Sequence, residues 1–325
     1  MQGYRAPWWL PSGHLQTIAP ALFGRRFGGS APVFERERWD TPDGDFIDVD
    51  FCLSADPGAR WLVLFHGLEG SSQSHYSQAL AAVAREHGWS FALPHFRGCS
   101  GELNRGPRAY HSGDFEEVGW ILARLRERSA APLMAAGVSL GGNALLRWVQ
   151  ESGDAASRTV SAAAAVSSPI DLAAGGHAIG QGLSRQIYTR MFLHTMKPKA
   201  LAKLKQHPGL FDRDKLAAAR TLYEFDDVFT APLHGFKDVN DYWTRCSAKP
   251  QLHRCRIPTL VLNARNDPFV PAASLPGVHE VGQHVTLWQP PHGGHVGFPG
   301  QRPAANVMTM PQAVTTWLRD HSNHG

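Results

Sequence analysis

Cysteine is scarce in this chain of 325 residues, which contains only four. Cys52, Cys99, Cys246 and Cys255 are far apart and show neither metal-binding nor redox-motif spacing. Small secreted domains that depend on disulfides have many paired cysteines, so that class of protein is excluded. We therefore expect reduced thiols in a cytoplasmic protein, with no metal site and no cofactor.

Long hydrophobic runs are also missing. No segment approaches the roughly 18 consecutive apolar residues of a membrane-spanning helix. The first residues, 1–5, do not lead into the apolar core of a signal peptide. The sequence therefore predicts no integral membrane segment.

Charge of one sign is not concentrated in any stretch dense enough to suggest a nucleic-acid-binding stripe. The net charge is +4, and 43% hydrophobic with 18% charged residues is typical of an ordinary globular protein. We therefore expect a small molecule, and not a nucleic acid, as the partner. The composition leaves the oligomeric state open.

Short apolar runs that alternate with helical patterns are abundant. The helical patterns run through Tyr76 and Leu80, from about Asp114, from about Leu140, and from Pro311. Strands separated by helices predict βαβ units and an α/β fold with a mostly parallel sheet flanked by helices. The predicted strands of this sheet are Trp61–Phe65, Trp89–Leu93, Leu133–Ala136, Val160–Val166, Thr259–Leu262 and Val285–Trp288.

An antiparallel hairpin is predicted before this sheet. Its strands would lie at about Val33–Trp39 and Ile47–Phe51, on either side of the turn Thr41–Gly44. In the second strand apolar residues alternate with Asp48 and Asp50, which predicts one face in water.

The stretch Gly137–Gly141 reads Gly-Val-Ser-Leu-Gly and lies between a predicted strand and a predicted helix. A serine at the apex of a strand, tight turn and helix is the context of a nucleophile elbow. The hydroxyl of Ser139 would then lie at the N-terminus of a helix, whose dipole favours developing negative charge. An unreactive serine in a glycine-lined turn is the alternative, because the short pattern also occurs by chance.

Asp267 and His295 each follow a predicted strand, at the edge of the sheet where Ser139 is expected. The chain order Ser, Asp, His is that of the α/β-hydrolases. A serine hydroxyl needs an imidazole to remove its proton, and a carboxylate must orient the imidazole. For Asp267 the alternative is a turn formed ahead of Pro268, and for His295 the alternative base is His292. The glycines 293–294 favour His295. A metal site at the two histidines is not expected, because no carboxylate or thiol lies near them in the sequence.

Acyl transfer also requires an oxyanion hole. We expect the backbone amides of Leu140, directly after the nucleophile, and of Leu68, in the loop after a predicted strand, to provide it. His66 is predicted to form structural hydrogen bonds. Three further polar residues either line the pocket or hold loops together: Arg97, Asn104 and His111.

Residues 170–250 interrupt the alternation of strands and helices and are mostly helical in pattern. The sequence therefore predicts a core of residues 1–169 and 251–325, and a helical cap over 170–250. The basic residues of this segment are interpreted as a solvated face. Six apolar residues are candidates for the wall of an acyl pocket: Leu183, Ile187, Tyr188, Met191, Phe192 and Leu193.

Several motifs occur together: His66–Ser72, His95–Gly101, Tyr110–Gly113, Gly137–Asn143, Gly293–Phe298 and the opening His14–Thr17. Together they resemble the YheT-like branch of the α/β-hydrolases over nearly the whole chain, apart from the inserted segment. The resemblance implies an α/β-hydrolase fold and a serine esterase with the triad Ser139, Asp267 and His295. The branch also includes relatives that transfer medium-chain acyl groups to alcohols, and phospholipase-like members.

We therefore predict a serine hydrolase that cleaves short- to medium-chain carboxylic esters through an acyl-serine intermediate. An alcohol acyltransferase would use the same three residues, so it remains an alternative. A non-catalytic binding protein on a hydrolase scaffold is a second alternative, against which the complete set of three residues argues. Dehalogenases and epoxide hydrolases have aspartate at the elbow, and Ser139 excludes them.

Overall fold

The computed structural model describes residues 3–24, 26–130, 132–300 and 306–322. Within these ranges eight strands form one sheet: β1 (Glu35–Asp40), β2 (Phe46–Cys52), β3 (Trp61–Phe65), β4 (Ser90–Pro94), β5 (Leu133–Val138), β6 (Val160–Val166), β7 (Thr259–Leu262) and β8 (Val285–Trp288). Their order in the sheet is β1-β2-β4-β3-β5-β6-β7-β8. β2 is antiparallel to β1 and to β4, and the other neighbours are parallel. The predicted mostly parallel sheet with an antiparallel hairpin at its start is confirmed.

Helices cover both faces of the sheet, which explains why its central strands are continuous apolar runs. Successive side chains of a strand point to opposite faces, so Val63 packs with α3 and α4 whereas Leu62 and Leu64 pack with α2 and α12. The helices outside the inserted segment are α1 (Gly13–Phe23), α2 (His75–Glu86), α3 (Phe115–Arg126), α4 (Leu140–Ser152) and α12 (Thr309–His321).

The hairpin forms as predicted, but the expectation of a face in water is wrong. Asp48 and Asp50 are buried, and each is paired with an arginine of β1 at 2.8 Å and 2.6 Å respectively. The loop that follows β4 covers this face: Ser100 donates a hydrogen bond to Asp48 at 2.6 Å. β2 is also an inner strand of the sheet, between β1 and β4, so alternation here marks buried ion pairs and not solvent.

Between β6 and β7 the chain is helical, and the helices pack on one another through apolar clusters of their own. π-helical turns precede α7 and follow α9. No helix in the described ranges is long and apolar enough to cross a bilayer. The helices of this segment are α5 (Leu172–Ile179), α6 (Gly182–Ser184), α7 (Arg190–Gln206), α8 (Arg213–Ala218), α9 (Leu222–Phe225), α10 (Ala231–Leu233) and α11 (Val239–Cys246).

Two basic residues of α7 do not lie on a solvated face, contrary to the prediction. Lys203 is buried, and its ammonium group donates to two carbonyl oxygens and one amide oxygen of the loop after β4, at 2.7–3.0 Å. Lys199 forms an ion pair with Glu69 of the loop after β3 at 2.8 Å. Both point inward because α7 lies against these two loops.

Candidate active site

Ser139 lies at the turn between β5 and α4, and its backbone has a φ of +53°. This left-handed conformation is costly for a residue with a side chain and persists only where surrounding contacts fix it. A Cβ atom at Gly141 would collide with the carbonyl oxygens of Phe65 and His66, so the turn requires glycine there. The backbone of the turn therefore holds the Ser139 hydroxyl at the N-terminus of α4.

His295 joins Ser139 to Asp267 by two hydrogen bonds. Its Nε2 lies 3.0 Å from the Ser139 Oγ, and its Nδ1 lies 2.9 Å from the Asp267 Oδ2. The Asp267 side chain is fully buried, and its other oxygen accepts from the amides of Phe269 and Val270 at 2.7 Å and 3.3 Å. Asp267 therefore forms the turn considered as its alternative role and also reaches the imidazole.

His292 is not part of this row. It is exposed, and its Nδ1 lies 3.5 Å from the side-chain amide of Asn266. The ring of His295 instead stacks on Phe269, with ring centroids 3.9 Å apart. This stacking and the two hydrogen bonds leave the His295 imidazole in one orientation.

The N-terminal helix α1 holds the loop that carries His295. The Thr17 hydroxyl accepts from the His295 amide at 2.8 Å, and the Gln16 side chain accepts from the Gly293 amide at 2.8 Å. A Cβ atom at Gly294 would meet the backbone of α1, and the φ of this residue is +63°. Sequence reasoning gave Gln16 and Thr17 no role, although the motif His14–Thr17 was part of the resemblance.

The amides of Leu68 and Leu140 both belong to residues that line the space above Ser139. Within the described residues neither amide donates to a protein group, whereas the neighbouring amides of Gly67 and Glu69 donate to tyrosine hydroxyls at 2.9 Å and 3.1 Å. Two N–H groups without a partner are therefore available to a ligand bound beside the serine.

A cavity of about 150 Å³ opens over Ser139 and His295, and most of its wall is apolar. Of the six cap residues predicted to wall a pocket, the described lining includes only Phe192, because Leu183 and Met191 are exposed and Leu193 packs inside the segment. The inserted segment contributes other apolar side chains, including Leu172, Ile179, Met196, Leu222, Phe225, Phe229, Tyr242 and Trp243.

One carboxyl group of the cavity wall has no cationic partner in the described chain. Asp226 accepts hydrogen bonds from Thr230 at 2.6 Å and from the indole of Trp243 at 2.9 Å. Burial raises the pKa of Asp226 to about 6. This side chain ties the turn after α9 to α11 behind the cavity.

Arg97 and Asn104 contact the cavity, yet their polar atoms hold loops together. The Arg97 guanidinium donates to Asp43, Asp45 and Glu117 at distances of 2.5–3.2 Å. The Asn104 amide group donates to Asp45 and to two backbone carbonyls of its own loop. Both of the roles considered for these residues are therefore present, with the hydrogen bonds used for structure.

His66 and His111 are structural in their contacts. His66 donates from Nδ1 to its neighbour's carbonyl at 2.7 Å and accepts at Nε2 from the Phe96 amide at 3.0 Å. Burial lowers the pKa of His66 to about 3, so the ring is neutral. His111 lines the cavity and packs against His234 and Tyr242, and burial lowers its pKa as well.

No group of three or more metal-binding side chains comes together in the part of the chain that the structure describes. The arrangement instead combines a hydroxyl, an imidazole and a carboxylate in a row, free amides beside the hydroxyl, and an apolar cavity. Together with the order of the strands, this arrangement defines the α/β-hydrolase class.

Comparison with known proteins agrees with this class. The sequence matches a protein-family model described as "alpha/beta hydrolase fold" over residues 60–300. It is 40% identical over 312 residues to the protein named "Putative esterase YheT" from Escherichia coli (strain K12), which covers 94% of this chain and 89% of that protein. The chain therefore belongs to the α/β-hydrolase superfamily, in its YheT-like branch.

More distant similarities extend across the chain. The human protein named "Phospholipase ABHD3" is 28% identical over 305 residues, which cover 89% of this chain and 72% of that protein. Among solved structures, the Pyrococcus furiosus esterase Pf2001 superposes with a TM-score of 0.54 at 16% identity, over 92% of this chain and 99% of that chain. This last similarity concerns the fold alone.

Proposed function

We propose that this protein is a serine esterase that hydrolyses short- to medium-chain carboxylic esters through an acyl-serine intermediate. The observation that carries the proposal is the hydrogen-bonded row of Ser139, His295 and Asp267 beneath an apolar cavity. The esterase and phospholipase names of the relatives support carboxylic esters as the substrate class.

In the first step, His295 Nε2 takes the proton of the Ser139 hydroxyl as Oγ attacks the ester carbonyl carbon. The negative charge that develops on the carbonyl oxygen is stabilised by the amides of Leu68 and Leu140 and by the N-terminus of α4. When the carbon–oxygen bond breaks, His295 returns the proton to the departing alcohol. Water then attacks the acyl-serine in the same way and releases the acid.

Asp267 has a positioning role in this mechanism. Its carboxylate accepts the Nδ1–H of His295, which leaves the Nε2 lone pair directed at the serine, and it stabilises the imidazolium that forms. The amides of Phe269 and Val270 keep the carboxylate in place. Stacking on Phe269 maintains the ring orientation through the reaction.

We further propose that residues 170–250 act as a cap on a core formed by residues 1–169 and 251–325. The inserted helices supply much of the apolar wall of the cavity, which supports a role in substrate choice. Acyl transfer to an alcohol would proceed from the same acyl-serine, and product analysis with added ethanol distinguishes it from hydrolysis.

Labelling with a fluorophosphonate probe tests the proposal. The wild-type protein should be labelled, and Ser139→Ala should lose both labelling and ester turnover by at least about three orders of magnitude. Ser161→Ala is the matched control, because this serine bonds a backbone carbonyl of β5 and lies outside the cavity lining. Equal labelling of Ser139→Ala and wild type would place the nucleophile elsewhere, and a wild type that is neither labelled nor active would favour the binding-protein alternative.

A further inference from the structure

Acidic residues are distributed unevenly along the chain. Residues 1–34 and 172–211 contain nine of the 32 lysines and arginines and none of the 28 aspartates and glutamates. The first of these segments includes α1 and the second includes α5, α6 and α7. Two long stretches without acid in a chain of net charge +4 indicate a surface with its own electrostatic character.

The two acid-free segments meet in the folded protein. His14 of α1 stacks on Tyr188, and its Nδ1 lies 3.0 Å from the Tyr188 hydroxyl. Ile18 packs against an apolar cluster that contains Tyr188 and Phe269. The segments therefore form one continuous region, although the contacting residues His14 and Tyr188 are 174 positions apart in the sequence.

Large apolar side chains of this region face solvent. Trp8 is 89% exposed, Phe23 is 78% exposed and Leu22 is 64% exposed. Leu15 and Leu22 are seven residues apart on α1 and so lie on the same face of the helix. Trp9, Leu183 and Met191 are also exposed, and together with the four residues above they are called the docking surface.

Basic groups accompany the part of the docking surface on the inserted segment, where Arg185 and Arg190 are close in the chain to Leu183 and Met191. Arg185 and Arg190, together with Lys197 and Arg220, line a shallow depression on the outside of the cap. Neither Arg185 nor Arg190 forms an ion pair with a carboxylate of the described residues. Lys199 and Lys203 of the same segment point inward, so the outward charge of the segment comes from the arginines together with Lys197 and the exposed Lys205.

We propose that the docking surface binds an anionic lipid bilayer. Tryptophan, phenylalanine and leucine side chains insert at the level of the headgroups, and arginines beside them attract anionic lipids. A second copy of this chain is disfavoured by like charge, and aliphatic side chains such as Leu22 and Met191 give a nucleic acid nothing to bind. The exposed apolar residues and the unpaired arginines are both explained by a bilayer.

The docking surface lies on the outer side of one wall of the cavity. Phe269, Ile179 and Phe192 line the cavity, and they pack in or against the same apolar cluster that Ile18 of α1 contacts. A bilayer on the docking surface would therefore lie behind the wall of the cavity. α1 also holds the His295 loop through Gln16 and Thr17, so this helix joins the bilayer to the candidate active site.

Vesicle flotation with the full chain tests the proposal. The probes are vesicles of phosphatidylcholine alone and vesicles of phosphatidylcholine with phosphatidylglycerol, each at low and high salt. The wild type should float with the anionic vesicles at low salt and be released by high salt, because salt screens the attraction between charges. Equal binding to neutral vesicles, or no binding to anionic ones, would overturn the proposal.

Two variants separate the apolar and the basic contributions. The double variant Trp8→Ser with Phe23→Ser should weaken binding to anionic vesicles at least tenfold. Arg185→Glu with Arg190→Glu should also weaken it at least tenfold, because each basic residue near an anionic surface contributes about fivefold. The matched controls, Val278→Ser with Leu53→Ser and Arg213→Glu with Arg245→Glu, change exposed residues outside the docking surface and should bind within twofold of wild type.

Turnover of a soluble butanoyl nitrophenyl ester by each variant should stay within twofold of wild type, since none of the changed residues lines the cavity. The vesicle result and the esterase proposal can therefore fail independently. If the Trp8→Ser, Phe23→Ser variant loses turnover or thermal stability together with binding, its loss of binding reflects misfolding. The arginine variant then decides: weak binding with normal turnover supports the proposal, and normal binding refutes it. A concentration-dependent dimer, or binding to RNA in preference to vesicles, would assign the surface to another partner and refute the bilayer.

Discussion

Two groups of mostly buried polar side chains lie beside the same cavity and differ in how many of their donors are already engaged. The first is the row of Ser139, His295 and Asp267. The second, called here the arginine cluster, consists of Arg97 with Asp43, Asp45 and Glu117, and with Asn104 beside them. Ser139 and His295 of the first group and Arg97 of the second belong to the motifs that carry the resemblance, and residues from both groups contact the cavity.

In the arginine cluster all three guanidinium nitrogens donate to carboxylates. Although burial by itself raises the pKa of Asp43, hydrogen bonds from Arg97 and Thr41 lower it to about 2. In the row, by contrast, the serine hydroxyl oxygen lies at the cavity, 3.0 Å from His295 Nε2, so in the proposed mechanism the oxygen can attack and the imidazole can receive its proton. Contact with a cavity therefore does not by itself mark a chemical role; an available atom with a proton acceptor beside it does.

The largest expected effect is the loss of activity when His295 of the row is replaced, compared with replacement of the nearby His292. His295→Ala should lower kcat/KM for a nitrophenyl ester by at least about three orders of magnitude, because the serine loses its base. His292→Ala is the matched control and should retain most activity, since this histidine is exposed and outside the row. Steady-state kinetics on both variants make the test, and the reverse ranking would overturn the assignment of the base.

Substitution of Arg97 in the arginine cluster should change the stability of the protein and not the chemical step. Arg97→Met leaves the two buried carboxylates of Asp45 and Glu117 without this partner and should lower the free energy of unfolding by about 3–5 kcal/mol. Arg105→Met is the matched control: its guanidinium and the carboxylate of Asp40 are both exposed and 3.7 Å apart, so about 0–1 kcal/mol is expected. Urea unfolding measures both values. If Arg97→Met is folded but as inactive as His295→Ala, the arginine cluster takes part in catalysis, and its assignment to a structural role is wrong.

The proposed cap should set the acyl length that the proposed active site can use. Each methylene buried in an apolar cavity contributes about 0.8 kcal/mol until the depth is filled. We therefore expect kcat/KM for nitrophenyl esters to be highest near butanoyl to octanoyl, with palmitoyl esters poor. A series of esters of graded length measures this. A steady rise of kcat/KM through the palmitoyl ester, with activation at a lipid interface, would instead indicate a lipase. Binding of the docking surface to a bilayer does not by itself predict faster turnover of a soluble ester.

Asp226 sharpens the comparison because its partly buried carboxyl group has no arginine partner among the described residues, whereas Asp43 and Asp45 are paired with Arg97. Its pKa is raised by burial to about 6, above the ordinary value of 3.8. The unfolded chain therefore loses this proton at lower pH than the folded protein, so the contribution of Asp226 to the free energy of unfolding falls as pH rises from about 4 to 6. Asp226→Asn should remove this fall, which is on the order of 2–3 kcal/mol. Unfolding curves from pH 4 to 7 test the slope, and an unchanged slope in Asp226→Asn would contradict the prediction.

Short sequence patterns were enough to predict much of the fold. Continuous apolar runs predicted the parallel strands because both sheet faces are covered, and glycines around Ser139 predicted the turn because a Cβ atom would collide there. The same rules failed in β2, where alternation with Asp48 and Asp50 also fits a buried face once Arg36 and Arg38 pair with them. A period of two reports which residues share a face, and it does not report what covers that face.

The succession of strands and helices along the chain, the turn at Ser139, and the positions of Asp267 and His295 after strands could all be predicted from the sequence, because they depend on neighbours within a few residues. Three features depend on the packing of distant segments: Thr17 holds the His295 loop, Lys203 points inward, and particular inserted side chains wall the cavity. The Thr17 hydrogen bond joins residues 278 positions apart. Such contacts arise only when distant segments pack together, and no local period or turn signal encodes them.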